Sequence, residues 1–168
     1  MLRFNSDHKF KIMQIADTQE IPAVSPDTLS LINNALDREK PDLVIFTGDQ
    51  IKGYSKKFKK DPAIIESTID ILVEPIAKRN IPFMVTYGNH DAQCGIDNRG
   101  QYKFYAKYDN FISGDLRNSD DVGTADIQIY SSTEDKPVFE LYIIDSHGKA
   151  KDGAGYAPVD KKQIEWYV

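Results

Sequence analysis

Three apolar runs constrain this chain more than any other feature. They are Phe10-Lys11-Ile12-Met13-Gln14-Ile15-Ala16, Leu43-Val44-Ile45-Phe46-Thr47 and Ile81-Pro82-Phe83-Met84-Val85-Thr86-Tyr87. Runs of this kind suit strands covered on both faces, because successive side chains point to opposite sides of a sheet. Each run stops at a residue that can bind a hard metal ion or a phosphate ester. The first ends in Asp17, the second in Gly48-Asp49, the third in Gly88-Asn89-His90-Asp91.

The segments between the runs have helical periodicity. Ser25 can cap a helix that Pro26 opens, with Leu29, Ile32, Ala35 and Leu36 on one face. Asp61-Pro62 starts a second helix, whose apolar face is Ile64, Ile65, Ile69, Leu72, Val73 and Ile76. Pro75 kinks it late or ends a turn. Strands are predicted at 11–16, 43–47 and 82–87. The resulting β-α-β-α-β order implies a parallel sheet with right-handed crossovers. A third helix is expected over 100–112. The pattern then changes. Strands at 124–131 and 138–145, joined by Glu134-Asp135-Lys136-Pro137, form an antiparallel hairpin. A short helix from about Pro158, carrying Ile164 and Trp166, closes the chain. The basic stretch Lys56-Lys57-Phe58-Lys59-Lys60 is read as a solvated loop.

The length of 168 residues corresponds to one domain, 1–168. A net charge of −5 argues against a nucleic-acid surface, which would be basic. One cysteine, Cys94, leaves no internal disulfide to form. No stretch reaches membrane-spanning length, and residues 1–10 lack a signal-peptide core. A soluble cytoplasmic protein is the simplest expectation.

In open parallel sheets, ligands bind beyond the carboxyl ends of the strands. Asp17, Asp49, Asn89 and His90 all fall there. Two carboxylates and a carboxamide offer hard oxygen donors, suited to manganese, iron, zinc or magnesium. Gly48 and Gly88 let the backbone turn sharply and bring their neighbours toward one site. A shared carboxylate such as Asp49 can bridge two ions. Taken singly, Asp17 reads as a turn residue or cap, Gly48-Asp49 as a common turn and Asn89-His90-Asp91 as a hydrogen-bonded corner. Their joint placement at three successive strand ends favours a catalytic site. No glycine-rich loop follows the first strand, which argues against a nucleotide-binding α/β domain.

With these residues in view, the chain resembles the calcineurin-like metallophosphoesterases, the superfamily that includes the purple acid phosphatases. The family pattern Asp-x-His, Gly-Asp-x-x-Asn/Asp, Gly-Asn-His-Asp/Glu is met by Asp17, Gly48-Asp49 and Gly88-Asn89-His90-Asp91. The tail, from Leu141-Tyr142-Ile143-Ile144-Asp145-Ser146-His147 to Gln163-Ile164-Glu165-Trp166, resembles the segment after that site in purple-acid-phosphatase-like members. The resemblance implies an α/β fold: the N-terminal half of a four-layer α/β/β/α sandwich. It implies two divalent metal ions (manganese, iron, zinc or magnesium), with Asp17 on the first, Asp49 bridging and Asn89 on the second. His90 would contact the phosphate and help protonate the leaving group, oriented by Asp91. The implied reaction is hydrolysis of a phosphomonoester or phosphodiester by two-metal-activated hydroxide attack.

The chain departs from the pattern twice. Gln19 stands where the family has its first histidine, and Lys52 where purple acid phosphatases place a tyrosine; Tyr54 is nearby but out of register. The later lone histidine and Gly-His-x-His pair are missing, so the chain reads as truncated before those motifs, with the metal sites open to being empty and activity impaired. After Asp91 there is only His147, read as a surface turn residue and, failing that, a further ligand. The alternative function is a non-catalytic relic acting as an interaction module. The expected partner is a small phosphate ester. The three-stranded sheet is expected to leave one apolar face exposed, to be covered by a homodimer or by a missing C-terminal half, with the hairpin at most extending that sheet.

Overall fold

The structure is a computed structural model that describes residues 1–116, 121–150, 152, 153 and 155–168. Its first sheet is built from three strands that follow one another in sequence: β2 (Ile12–Ile15), β3 (Leu43–Thr47) and β4 (Phe83–Thr86). All are parallel, with Ile15 opposite Phe46 and Phe46 opposite Val85. The helices that make the crossovers, α1 (Pro26–Glu39) and α2 (Pro62–Ala77), start as the sequence dictates. Ser25 and Asp61 cap them by accepting from the amides of Asp27 and Ala63, and a proline stands at each first turn, where a missing N–H costs nothing. Helix α2 buries Ile65, Ile69, Leu72, Val73 and Ile76 against Phe46, Phe83 and Val85. At about 1.5–3 kcal/mol for each fully buried large aliphatic, this face dominates the layer. Pro75 lies inside α2 without ending it.

Helix α3 (Asn98–Ala106) is shorter than the predicted 100–112. The reason lies in the strand it adjoins. The Phe83 amide donates to the Asn110 carbonyl and the Ile112 amide donates to Phe83. Residues around Phe111 therefore cover the free edge of β4 instead of continuing the helix.

The hairpin does not extend the first sheet. It forms a second one: β6 (Ala125–Tyr130) pairs antiparallel with β7 (Pro137–Ile143), while β1 (Leu2–Arg3) and β5 (Asp115–Leu116) pair with opposite ends of β6. The two short strands were not predicted; two residues carry no readable period. The inward row Ala125, Ile127 and Ile143 packs on Leu43, Ile45 and Met84 of the first sheet. The expected open apolar face is therefore covered over β3 and β4, but over β2 it stays open, with Ile12 38% exposed. Exposed apolar surface also lies on β7 of the second sheet, where Val138 is 55% and Phe139 49% exposed. Helix α4 (Lys161–Tyr167) covers part of that outer face, with Trp166 and Tyr167 edge-on to Tyr142. Its pin is Gln163, a buried polar residue, whose amide donates to the Asp145 carbonyl at 2.7 Å and to Thr124 Oγ1 at 2.8 Å. The layers thus run helices, sheet, sheet, helix.

Candidate functional site

The loops leaving β2, β3 and β4 meet at one edge of the first sheet. Backbone hydrogen bonds lace the first two together: the Asp17 amide donates to the Gly48 carbonyl at 3.0 Å, Gln19 to Asp49 at 2.9 Å and Glu20 to Gln50 at 3.1 Å. Glu20 also ties this edge to the start of α1, accepting from the Thr28 hydroxyl and the Ser25 amide. The lacing bends the chain sharply. Asp17, Gln19 and Asp49 all have left-handed backbones, with φ of 52°, 43° and 53°. Non-glycine residues adopt that region at a cost, and such strain concentrates at ligand sites.

The third loop is fastened to the second by Asp91. Its buried carboxylate accepts from the amides of Asp49 and Gly88 at 2.8 Å each and from Ile51 at 3.3 Å. Burial is the largest influence on Asp91, and it pushes the carboxyl up to about 6 against the pull of those amides. In return, Oδ1 of Asp49 accepts from the His90 amide at 2.8 Å. Close approach of the two loops depends on glycine. A Cβ at Gly48 would lie 2.5 Å from the Gly88 nitrogen, and one at Gly88 would run into the Asp49 carboxylate.

The result is a cleft of about 330 Å³ whose walls include Asp17, Asp49, Gly88 and Asn89. The expected juxtaposition of the three oxygen donors at this edge is therefore present. His90 is placed differently. Its ring is absent from the cleft lining and stands beside it, edge-on to Tyr54 with centroids 4.8 Å apart, while Lys52 Nζ lies 5.2 Å from the Tyr54 centroid. Nor does Asp91 orient that ring, as had been expected. The Asp91 oxygens are engaged by backbone amides, and the polar partner of the imidazole is Gln93, whose Oε1 is 3.1 Å from Nδ1.

The C-terminal segment also lines the cleft, with Ser146, His147, Tyr156 and Ala157. The sequence reading of His147 is a surface turn histidine. It does sit in a turn, with φ of 65°, but the turn is aimed by Asp145. Oδ1 of Asp145 accepts the His147 amide at 2.7 Å, its Oδ2 accepts from Asn98 at 3.0 Å, and burial raises its carboxyl above the usual range. Nε2 of His147 is 3.7 Å from Asp160. The readable signal was that β7, like the other strands, runs out into an aspartate. Tyr156 and Gln93 had no such signal.

The donor set fits a hard divalent ion in kind, since two carboxylates and a carboxamide face one cleft. It falls short in number for two ions: shared between them, three donors with Asp49 common to both leave two protein ligands on each, where a catalytic metal usually has three. Among the described residues no group of three His, Cys, Asp or Glu side chains is placed to hold a metal.

The comparisons with known proteins agree with this architecture. The family model for calcineurin-like phosphoesterases matches residues 10–166. Similar proteins include probable inactive purple acid phosphatase 14 of Arabidopsis thaliana, 28% identical over 99% of this chain and 47% of that protein. Phosphatase DCR2 of Saccharomyces cerevisiae is 32% identical over 98% of this chain and 32% of its own length. Probable inactive purple acid phosphatase 29 of Arabidopsis thaliana is 26% identical over 99% and 48%. The chain thus spans half or less of the length of these curated relatives. With its two packed sheets, its laced strand-end loops and a family match over nearly its whole length, the chain belongs to the calcineurin-like phosphoesterase family.

Proposed function

We propose that the cleft is a phosphoester-hydrolysing site of the metal-assisted kind, slow in these 168 residues alone. The observation that supports this reading is the meeting of Asp17, Asp49 and Asn89 around Gly88 at the ends of three parallel strands. Asp17, Asp49 and Asn89 would hold divalent metal, of which the family generally uses two. Bound there, such an ion supplies Lewis acidity toward a phosphoryl oxygen. Gly88, with no side chain, leaves room for the Asp49 carboxylate against the loop. Asn89 contributes an oxygen without adding charge, which keeps the cleft less repulsive to an anion. His90, beside the cleft, is the proton donor to the departing oxygen, and Asp91 acts by fastening the two loops. The substrate is a small phosphomonoester or phosphodiester. A cytoplasmic setting accords with the single free cysteine, Cys94, and among the described residues no helix is long and apolar enough to cross a membrane.

A second reading, a non-catalytic interaction module, is favoured by the short ligand count and by relatives named as probably inactive. One experiment separates the two. Turnover of a chromogenic aryl phosphate is followed against Mn²⁺ concentration for the chain and for Asp49→Asn. Slow turnover that rises with the metal and vanishes in Asp49→Asn supports the hydrolase. No turnover at any metal concentration supports the module.

A further inference from the structure

We infer that Gln93 is the positioning residue for His90, fixing its imidazole as the Nδ1–H tautomer so that Nε2 is the nitrogen left open. The inference deepens the proposed phosphoesterase reading and rests on it for its functional meaning, though not for its geometry.

The logic follows from what each atom can do. Gln93 Nε2 is 3.1 Å from the backbone carbonyl of Asn89. A carbonyl only accepts, so the amide must present its NH₂ there, and its orientation is settled by chemistry. The Gln93 oxygen is then the atom facing His90, 3.1 Å from Nδ1. That oxygen too can only accept, so Nδ1 must carry a hydrogen. Nδ1 keeps this hydrogen whether the ring is neutral or charged. Nε2 is therefore the nitrogen that His90 can turn toward a phosphate oxygen. The ring plane is held as well, since Tyr54 packs edge-on against it at 4.8 Å. The chain of contacts runs through the site: the carbonyl of Asn89 orients Gln93, Gln93 orients His90, and the His90 amide holds Asp49 at 2.8 Å. The three-residue spacing from His90 to Gln93 is set by the 3₁₀ turn Asp91–Cys94, in which the Gln93 amide donates to the His90 carbonyl.

The test is spectroscopic and independent of turnover. The full chain is labelled with ¹⁵N-histidine and long-range ¹H–¹⁵N spectra are recorded with EDTA at about pH 8, where an ordinary imidazole is neutral. His90→Gln assigns the signals among the three histidines. The expected result is a protonated Nδ1 and a bare Nε2 on His90. Gln93→Met should move the tautomer ratio toward Nε2–H by roughly five- to tenfold, the effect of one hydrogen bond. Gln93→Glu keeps an acceptor for Nδ1 but loses the NH₂ that meets the Asn89 carbonyl, so it should return the ratio only part of the way to the wild-type value. A wild-type His90 found mainly as Nε2–H overturns the inference, even if Gln93→Met does not fold. So does a Gln93→Met protein with an unchanged ratio and a wild-type backbone amide spectrum. An absence of aryl-phosphate turnover would count against the hydrolase reading and leave this result standing.

Discussion

The carboxylate of Asp91 accepts the backbone amide of Asp49 at 2.8 Å, across 42 residues of chain. This bond, with its companion to Gly88, converts two strand-end loops into one rigid corner. It also explains why an acid is retained where burial disfavours its charge: only an acceptor-rich group can serve three inward-facing amides at once.

That arrangement has a pH signature. Burial raises Asp91 from 3.8 to about 6 in the folded protein. The folded state therefore binds more protons than the unfolded state between those values, and stability contributed by this group falls as pH rises from about 4 to about 6, then levels off. The drop is roughly 3 kcal/mol. Asp91→Asn does not titrate, so its stability should lack that fall. Urea denaturation of both proteins across pH 4 to 7 checks it, because taking their difference cancels the other carboxylates. Parallel curves would show that Asp91 titrates normally.

Gly48 should tolerate no side chain. Its φ is 110°, and a Cβ would sit 2.5 Å from the Gly88 nitrogen, a backbone atom that cannot swing aside. Gly48→Ala is expected to cost more than about 2 kcal/mol and to open the cleft. Thermal melting, together with the amide signals of Asp49 and Gly88, reads both effects. Gly153, with nothing within 4 Å of its Cβ position, is the control for left-handed strain alone.

Metal should bind weakly. Shared between two ions, Asp17, Asp49 and Asn89 give each only two protein donors, too few for tight chelation. EDTA should leave the melting temperature unchanged, while millimolar Mn²⁺ raises it in the manner of a weak ligand linked to folding. Asp49→Asn should abolish that rise. His147→Ala distinguishes whether the far wall of the cleft contributes: a loss of the Mn²⁺ effect there would make His147 a ligand. A melting temperature lowered sharply by EDTA would mean that a tighter site exists.

Much of this fold was legible in the sequence, for identifiable reasons. The runs that became β3 and β4 read as strands because both their faces are covered, β2 because Met13 and Ile15 pack on the core although Ile12 and Gln14 face solvent, and α1 and α2 declared themselves through Ser25-Pro26 and Asp61-Pro62. Asp17, Asp49 and Asn89 could be placed at one edge from the sequence because strand ends in a parallel sheet share that edge. The second sheet was not seen as a layer, since strand spacing says which strands pair but not which sheet they join. The role given to Asp91 failed for a related reason. Adjacency to His90 suggested a side-chain partner, whereas a 3₁₀ turn directs Asp91 inward and brings Gln93 round to the ring. His147 reaches the cleft from 57 residues beyond His90 through a turn that no local pattern announces.

Val138 and Phe139 lie on β7, which pairs with β6 on one side only. An unpaired edge carrying exposed apolar side chains is a template for pairing with another chain. The row that should have been shielded shows why: on the inward face Ile143 is buried and Leu141 half-buried, but Phe139, further along the same row, is 49% exposed. Substituting Phe139→Thr and Val138→Lys removes that surface while keeping a β-branched residue in the strand and adding an edge charge. The double variant should remain folded, lose less than about 1 kcal/mol, and scatter less light than the wild type on concentration. Equal scattering by the two proteins would locate the associating surface elsewhere. A loss of several kcal/mol would mean that Phe139 is shielded in solution by a second copy of the chain, and sedimentation at decreasing concentration would then show the wild type dissociating.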